Sequence, residues 1–115
     1  MKLLNYLEKN TQNNEYIVEL SDCALYELDE LYNYIFWRLS SPINANRFKE
    51  KIYSKLEILK TNPYIYPQLS DYSNPNYKYR KLTVNNYVII YYILEKEKLV
   101  YIVHIYYSKS NYKKI

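Results

Sequence analysis

Not one of the 115 residues is glycine. Phosphate-cradling loops and dinucleotide fingerprints depend on glycine, because a residue without Cβ lets the backbone approach a phosphate closely. Nucleotide-cofactor enzymes of those types are therefore excluded. Eighteen tyrosines accompany the missing glycine, with many Asn, Lys and Ile. These residue types have AT-rich codons, so the base composition of the gene accounts for the bias. The length suits one domain and is too short for two cores of ordinary size. Hydrophobic residues at 49% and charged ones at 24% match a globular chain rather than a disordered one. No apolar run reaches the roughly 18 residues of a membrane helix. Lys2 is followed by only Leu3 and Leu4 before Asn5, short of the about 7–15 apolar residues of a secretory leader, so a cytoplasmic location is expected. Cys23 and His104 are each the only residue of their kind. That excludes an internal disulfide, a cysteine-rich zinc site and a multi-histidine metal site.

The net charge of +4 is unevenly spread. Residues 1–40 carry a net −4 and residues 41–115 a net +8. The chain is dipolar, and its basic part suits a polyanion such as RNA, DNA or an acidic protein segment, or else forms a solvated lysine-rich surface.

Residues 1–14 end in a polar run, with no apolar period beyond Leu7, and read as a short helix or frayed extension before a domain at 15–115. The run YIVEL at 16–20 reads as a strand closed by Ser21, which caps the next helix with Asp22 in its first turn. Ala24, Leu25, Leu28, Leu31, Tyr32, Ile35, Phe36 and Leu39 then recur at helical spacing, and Trp37 is expected in the core. Ser41 caps a second helix with Pro42 at its first position, where the missing N–H costs nothing. Its stripe is Ala45, Phe48, Ile52, Leu56 and Leu59. The short connection predicts an antiparallel helix hairpin. Asn62, Pro63, Pro67 and Pro75 mark an irregular segment to about Asn76, long enough to be a candidate functional loop.

Three runs rich in β-branched and aromatic residues follow, at 78–84, 87–94 and 99–107. Asn85 and Asn86 form a two-residue turn, since Asn tolerates positive φ. This pairs Val84 with Tyr87, Leu82 with Ile89, Lys81 with Ile90, Arg80 with Tyr91 and Tyr79 with Tyr92. A turn at 95–98 pairs Leu94 with Leu99 and Ile89 with His104. Strict alternation puts Arg80, Leu82, Val84, Tyr87, Ile89, Tyr91, Ile102, His104 and Tyr106 on the face that meets the helices. It puts Tyr79, Lys81, Val88, Ile90, Tyr92, Val103, Ile105, Tyr107 and Lys109 on a second face expected to be partly open.

The order of strand, helix hairpin, loop and meander is carried by YIVELSDCALYELDELYNYI, NANRFKEKIYSKLEILKTNP, KYRKLTVNNYVIIYYI and YIVHIYYSKSNYKKI. It resembles the RelE/ParE superfamily of toxins from type II toxin-antitoxin systems. The resemblance implies an α+β fold: an N-terminal strand and an antiparallel helix hairpin packed on one face of an antiparallel β-sheet meander. It also implies growth arrest, silencing by a cognate antitoxin in a toxin-antitoxin hetero-oligomer, and no cofactor, metal or membrane. RelE-like members cut mRNA on the ribosome without a metal, whereas ParE-like members poison DNA gyrase and are not enzymes. The alternative is a degenerate toxin that only binds antitoxin.

By that resemblance Lys81 matches a basic residue of the nucleases, Lys109 falls near their carboxy-terminal arginine, and Tyr107 lies beside it. These three are the catalytic candidates. Tyr79, Arg80, Tyr92, His104 and Tyr112 are the binding candidates, through base stacking, hydrogen bonding or phosphate contact. The chain departs from the nucleases where Val88 follows Tyr87, a position of arginine in them, and where Lys109 is followed by Ser110 instead of a second cation. YVIIYYI is closer to the ParE-like branch. Each candidate also has a structural reading. Arg80 is expected to pair with Glu27 or Glu30, and His104 to be a half-buried ring opposite Ile89. Cys23, with no partner base in view, is expected to be inert.

Overall fold

The computed structural model describes residues 15–70 and 76–109, so the extension at 1–14 and the candidate Tyr112 lie outside the described residues. Strand β1 (Ile17–Leu20) leads into helix α1 (Asp22–Asn33), which continues as a π-helical segment (Tyr34–Arg38). Helix α2 (Pro42–Leu59) follows, and then the meander of β2 (Arg80–Val84), β3 (Tyr87–Leu94) and β4 (Leu99–Tyr107). Both helix starts form as the sequence predicts. The Ser21 hydroxyl accepts from the Ala24 amide at 2.9 Å, and Ser41 accepts from Asn44 with Pro42 in the first turn.

All five apolar residues of the α2 stripe are buried, from Ala45 to Leu59. On α1 the stripe holds for Ala24, Leu28 and Ile35, but Leu25 and Leu39 are exposed and Trp37 is 71% exposed. Trp37 is therefore a surface residue and not core. Trp37 stands nine residues after Leu28 and two after Ile35, which at helical spacing is the face away from the stripe. In the π segment the Leu39 amide reaches back five residues to the Tyr34 carbonyl at 3.1 Å, and the wider turn rotates Leu39 off the stripe.

The sheet order is β1-β4-β3-β2. Strand β1 is parallel to β4, with Val18 beside Val100 and Leu20 beside Ile102, so the sheet is antiparallel in its meander and parallel at one edge. The β2–β3 register is as the Asn85-Asn86 turn predicts, from Val84↔Tyr87 to Arg80↔Tyr91. The β3–β4 register begins as predicted at Leu94↔Leu99 but shifts between Ile90 and Tyr91. Tyr91 faces Ile102 and Ile90 faces His104, which leaves Val103 as an extra residue in a β-bulge. His104 thus lies opposite Ile90, not Ile89. A one-residue slip exchanges the two faces. Beyond the bulge, Ile105 turns to the helices and is 1% exposed, while His104 and Tyr106 share the opposite face with Ile90 and Val88.

One core joins Leu28, Ile35, Phe48, Ile52, Leu56 and Leu59 to Val18, Leu82, Ile89, Tyr91, Val100, Ile102 and Ile105. The second face is less open than alternation suggests, since Val88 and Ile90 are buried at its centre. The irregular segment after α2 is tied to the sheet. The Tyr91 hydroxyl donates to the Pro63 carbonyl at 2.7 Å, the Leu69 amide to Tyr79, and the Lys81 amide to Pro67. At the β3–β4 turn, Glu95 accepts from Tyr16 at 2.8 Å, Tyr64 at 2.5 Å and Lys98 at 2.6 Å. These donors, Lys98 first, hold its carboxyl down at about 2, and the hydrogen bond to Glu95, with burial, pushes the Tyr64 phenol up to about 12. Without glycine, the left-handed positions among the described residues fall to Ser40, Asn85 and Lys98, at φ 51–53°.

Candidate functional site

The bulge decides where the candidates stand. Lys81, paired with Ile90 and hence level with His104, projects on the face away from the helices. Tyr107, paired with Tyr87, projects on the helix side of the same sheet. Their rings and charges were expected on one face, and the sheet lies between them. Lys109 follows β4 in an exposed turn.

On Lys81's face the tyrosines form a cluster. Tyr92 stacks on Tyr77 with ring centres 4.4 Å apart, meets Tyr79 edge-on at 5.7 Å and Tyr101 at 5.4 Å. Burial first, then the neighbouring tyrosines, pushes the Tyr92 phenol up, so it keeps its proton. Strand alternation and the close cross-strand spacing build this cluster. On the other face Tyr107 packs edge-on against Tyr87 at 5.6 Å, and Tyr87 in turn against Phe48 at 4.6 Å. Leu31, Tyr34, Ile35, Leu39, Asn86 and the two tyrosines line a cleft of about 560 Å³ there.

Arg80 does not reach Glu27 or Glu30. Its Nη1 donates to the Tyr66 carbonyl at 2.6 Å, and the guanidinium lies 5.1 Å from the Tyr64 ring centre. The guanidinium serves the segment after α2, where the fork satisfies a carbonyl while its plane covers an aromatic face. Glu27 is engaged elsewhere. Its Oε1 accepts from the Ile105 amide at 2.9 Å and lies 3.2 Å from His104 Nδ1. The free edge of β4 past the end of β1 is thus closed by α1: Ser21 donates its hydroxyl to the Val103 carbonyl, and Glu27 takes the next amide.

Two features escape the sequence reading. Cys23 Sγ lies 3.5 Å from His104 Nδ1, so a ring nitrogen does stand beside the thiol. Desolvation and then the Glu27 carboxylate push that thiol up, away from thiolate reactivity. The spacing of Cys23 and Glu27, four apart on a helix, was a visible signal; the strand that completes the group was not. The second feature is basic. Arg47, Lys51 and Lys55 on α2, with Glu50 among them, meet the β2–β3 turn at Thr83, Val84 and Asn85 in an open cleft of about 470 Å³.

The model of the ParE toxin of type II toxin-antitoxin systems, parDE, matches residues 18–112. This chain belongs to the ParE toxin family. No curated protein sequence matches it. A chain of the chromosomal ParDE system of P. aeruginosa superposes with a TM-score of 0.63 at 17% identity, covering 80% of this ParE-family chain and 95% of the other. A chain of the archaeal RelE-RelB complex of Pyrococcus horikoshii OT3 gives 0.56 at 16% identity, covering 82% and 96%. At such identities the two structures bear on the fold, and both have the RelE/ParE architecture of this toxin.

Proposed function

We propose that this ParE-family toxin arrests growth by acting on DNA gyrase and that a cognate antitoxin neutralises it. The observation that supports this reading most is the separation of Lys81 from Tyr107 by the sheet. Cutting RNA at the 2′-hydroxyl requires a cation at the phosphate and a proton donor within hydrogen-bond reach of the same reacting atoms. Val88, where the nucleases carry an arginine, is buried and apolar. Binding to gyrase needs a complementary surface and no such convergence.

For the antitoxin, the helix hairpin offers Tyr34, Trp37, Leu39 and Ile43, each at least half exposed around the hairpin tip. Large apolar side chains grouped on a surface mark a place where another chain sits. The superposed structures come from toxin-antitoxin systems, which supports the same partner class here.

The test is expression from a tightly repressed promoter, with colony formation, mRNA integrity and the DNA damage response followed together. Purified protein is added in parallel to a gyrase supercoiling reaction. The expected result is arrest with DNA damage, intact mRNA and inhibited supercoiling, unchanged in Lys81→Ala. Ribosome-dependent mRNA cuts that vanish in Lys81→Ala would replace this reading with a RelE-like nuclease. No arrest at all would leave a non-catalytic antitoxin-binding module.

A further inference from the structure

We infer that Cys23, Glu27 and His104 form a binding site for one divalent transition-metal ion of the zinc type. One donor atom from each of the three residues lies within 4.8 Å of the others. His104 Nδ1 is 3.5 Å from Cys23 Sγ, 3.2 Å from Glu27 Oε1 and 3.3 Å from Glu27 Oε2. Zinc bonds of about 2.3 Å to sulfur and about 2.0–2.2 Å to nitrogen and oxygen, at a tetrahedral angle, place sulfur about 3.6 Å from nitrogen and nitrogen about 3.4 Å from oxygen. The observed separations match those two edges.

Without a metal, two protons can serve the group: the imidazole N–H shared by the two carboxylate oxygens and the thiol S–H given to Glu27. One cation in place of those protons would engage sulfur, nitrogen and oxygen together. Neighbouring groups hold two of the ligands in place. The Ile105 amide holds Glu27 Oε1 at 2.9 Å, which fixes the carboxylate and leaves Oε2 to face the ion. The Tyr106 ring lies over the imidazole with centres 5.1 Å apart and fixes its plane. Cys23 and Glu27 are one helical turn apart near the start of α1, and His104 sits on β4 directly after the bulge. Both supports are regular elements whose backbone is already ordered.

The set is one sulfur, one nitrogen and one oxygen donor, which suits zinc or cobalt better than magnesium or calcium. Three protein donors leave a fourth position for water. A bound ion would fasten the first turns of α1 to the part of β4 that the bulge has displaced, joining positions 81 residues apart in sequence.

The experiment uses the purified full chain, stripped with a chelator and titrated with Co(II), then with Zn(II). The expected result is a thiolate-to-cobalt charge-transfer band that saturates at one equivalent and is bleached by Zn(II), with a rise in melting temperature. Cys23→Ser is expected to abolish the band, and Glu27→Gln to weaken binding about tenfold or more. Cys23 is exposed, so Cys23→Ser tests the site without disturbing the core. Absence of the band in a chain with native circular dichroism overturns the inference. So does binding whose stoichiometry and affinity persist in both Cys23→Ser and His104→Gln.

Discussion

Ser40 stands at φ 51° between the two helices, in a region that costs an ordinary L-residue roughly 1–2 kcal/mol. Glycine adopts it freely but gives up more chain entropy on folding. Ser40→Gly is expected to stabilise by about 0.5–1 kcal/mol, read as a higher urea midpoint with unchanged slope. Glu95 supplies a second test at this scale. Its carboxyl titrates at about 2 against an ordinary 4.5. The charged form is favoured by folding, so its contribution is present above about pH 4.5 and fades as pH falls towards 2. Tyr64 moves the other way, to about 12 from 10. The protonated form is favoured by folding, so that contribution is present below pH 10 and is lost as pH rises towards 12. Glu95→Gln removes the acid-side dependence and reduces the alkaline one, measured as urea midpoints across pH. An acid limb unchanged in the variant would assign that dependence to other carboxylates.

The β-bulge in β4 is the element on which the candidate site turns. Alternation read forward from Leu99 assigns Ile105 to the open face and His104 to the core; the extra Val103 reverses both. Ile105→Ala is therefore expected to cost about 2–5 kcal/mol, as a buried large-to-small change does. Denaturant unfolding measures it. A loss below about 1 kcal/mol would place Ile105 on the surface and remove the bulge from the account. On the hairpin, Trp37 stands on the face away from Leu28 and Ile35, and a side chain at 71% exposure supports little of the core. Trp37→Ala is expected to leave the unfolding midpoint nearly unchanged while weakening the antitoxin complex by about 2 kcal/mol, as a central aromatic contact does. Titration of toxin and variant against the antitoxin checks it; equal affinities would move the interface off the hairpin tip.

Across the whole molecule, two polarities coexist. The acidic stretch of α1 closes the β4 edge through Glu27, while Arg47, Lys51 and Lys55 present cations from α2 beside the β2–β3 turn. No helix among the described residues is long and apolar enough to cross a membrane. The α+β architecture, both serine caps, the α2 stripe and the β2–β3 register were all legible in the amino acids. Each rests on interactions between neighbours a few residues apart: Ser21 with Ala24, Ser41 with Asn44, Val84 with Tyr87. The partners of Arg80 and Glu27, the parallel seat of β1 and the bulge at Val103 were not legible. They join positions such as 27 and 105 or 18 and 100, and sequence spacing carries no information about which distant edge a strand will meet. A bulge of one residue also leaves composition and propensity untouched while exchanging the faces of everything after it. The sequence by itself therefore determined the elements and their order. Tertiary structure alone decided which side of the sheet the candidates beyond Val103, His104 and Tyr107, face, because that depends on how β4 must bend to pair with β3 and still bury Ile105 under the helices.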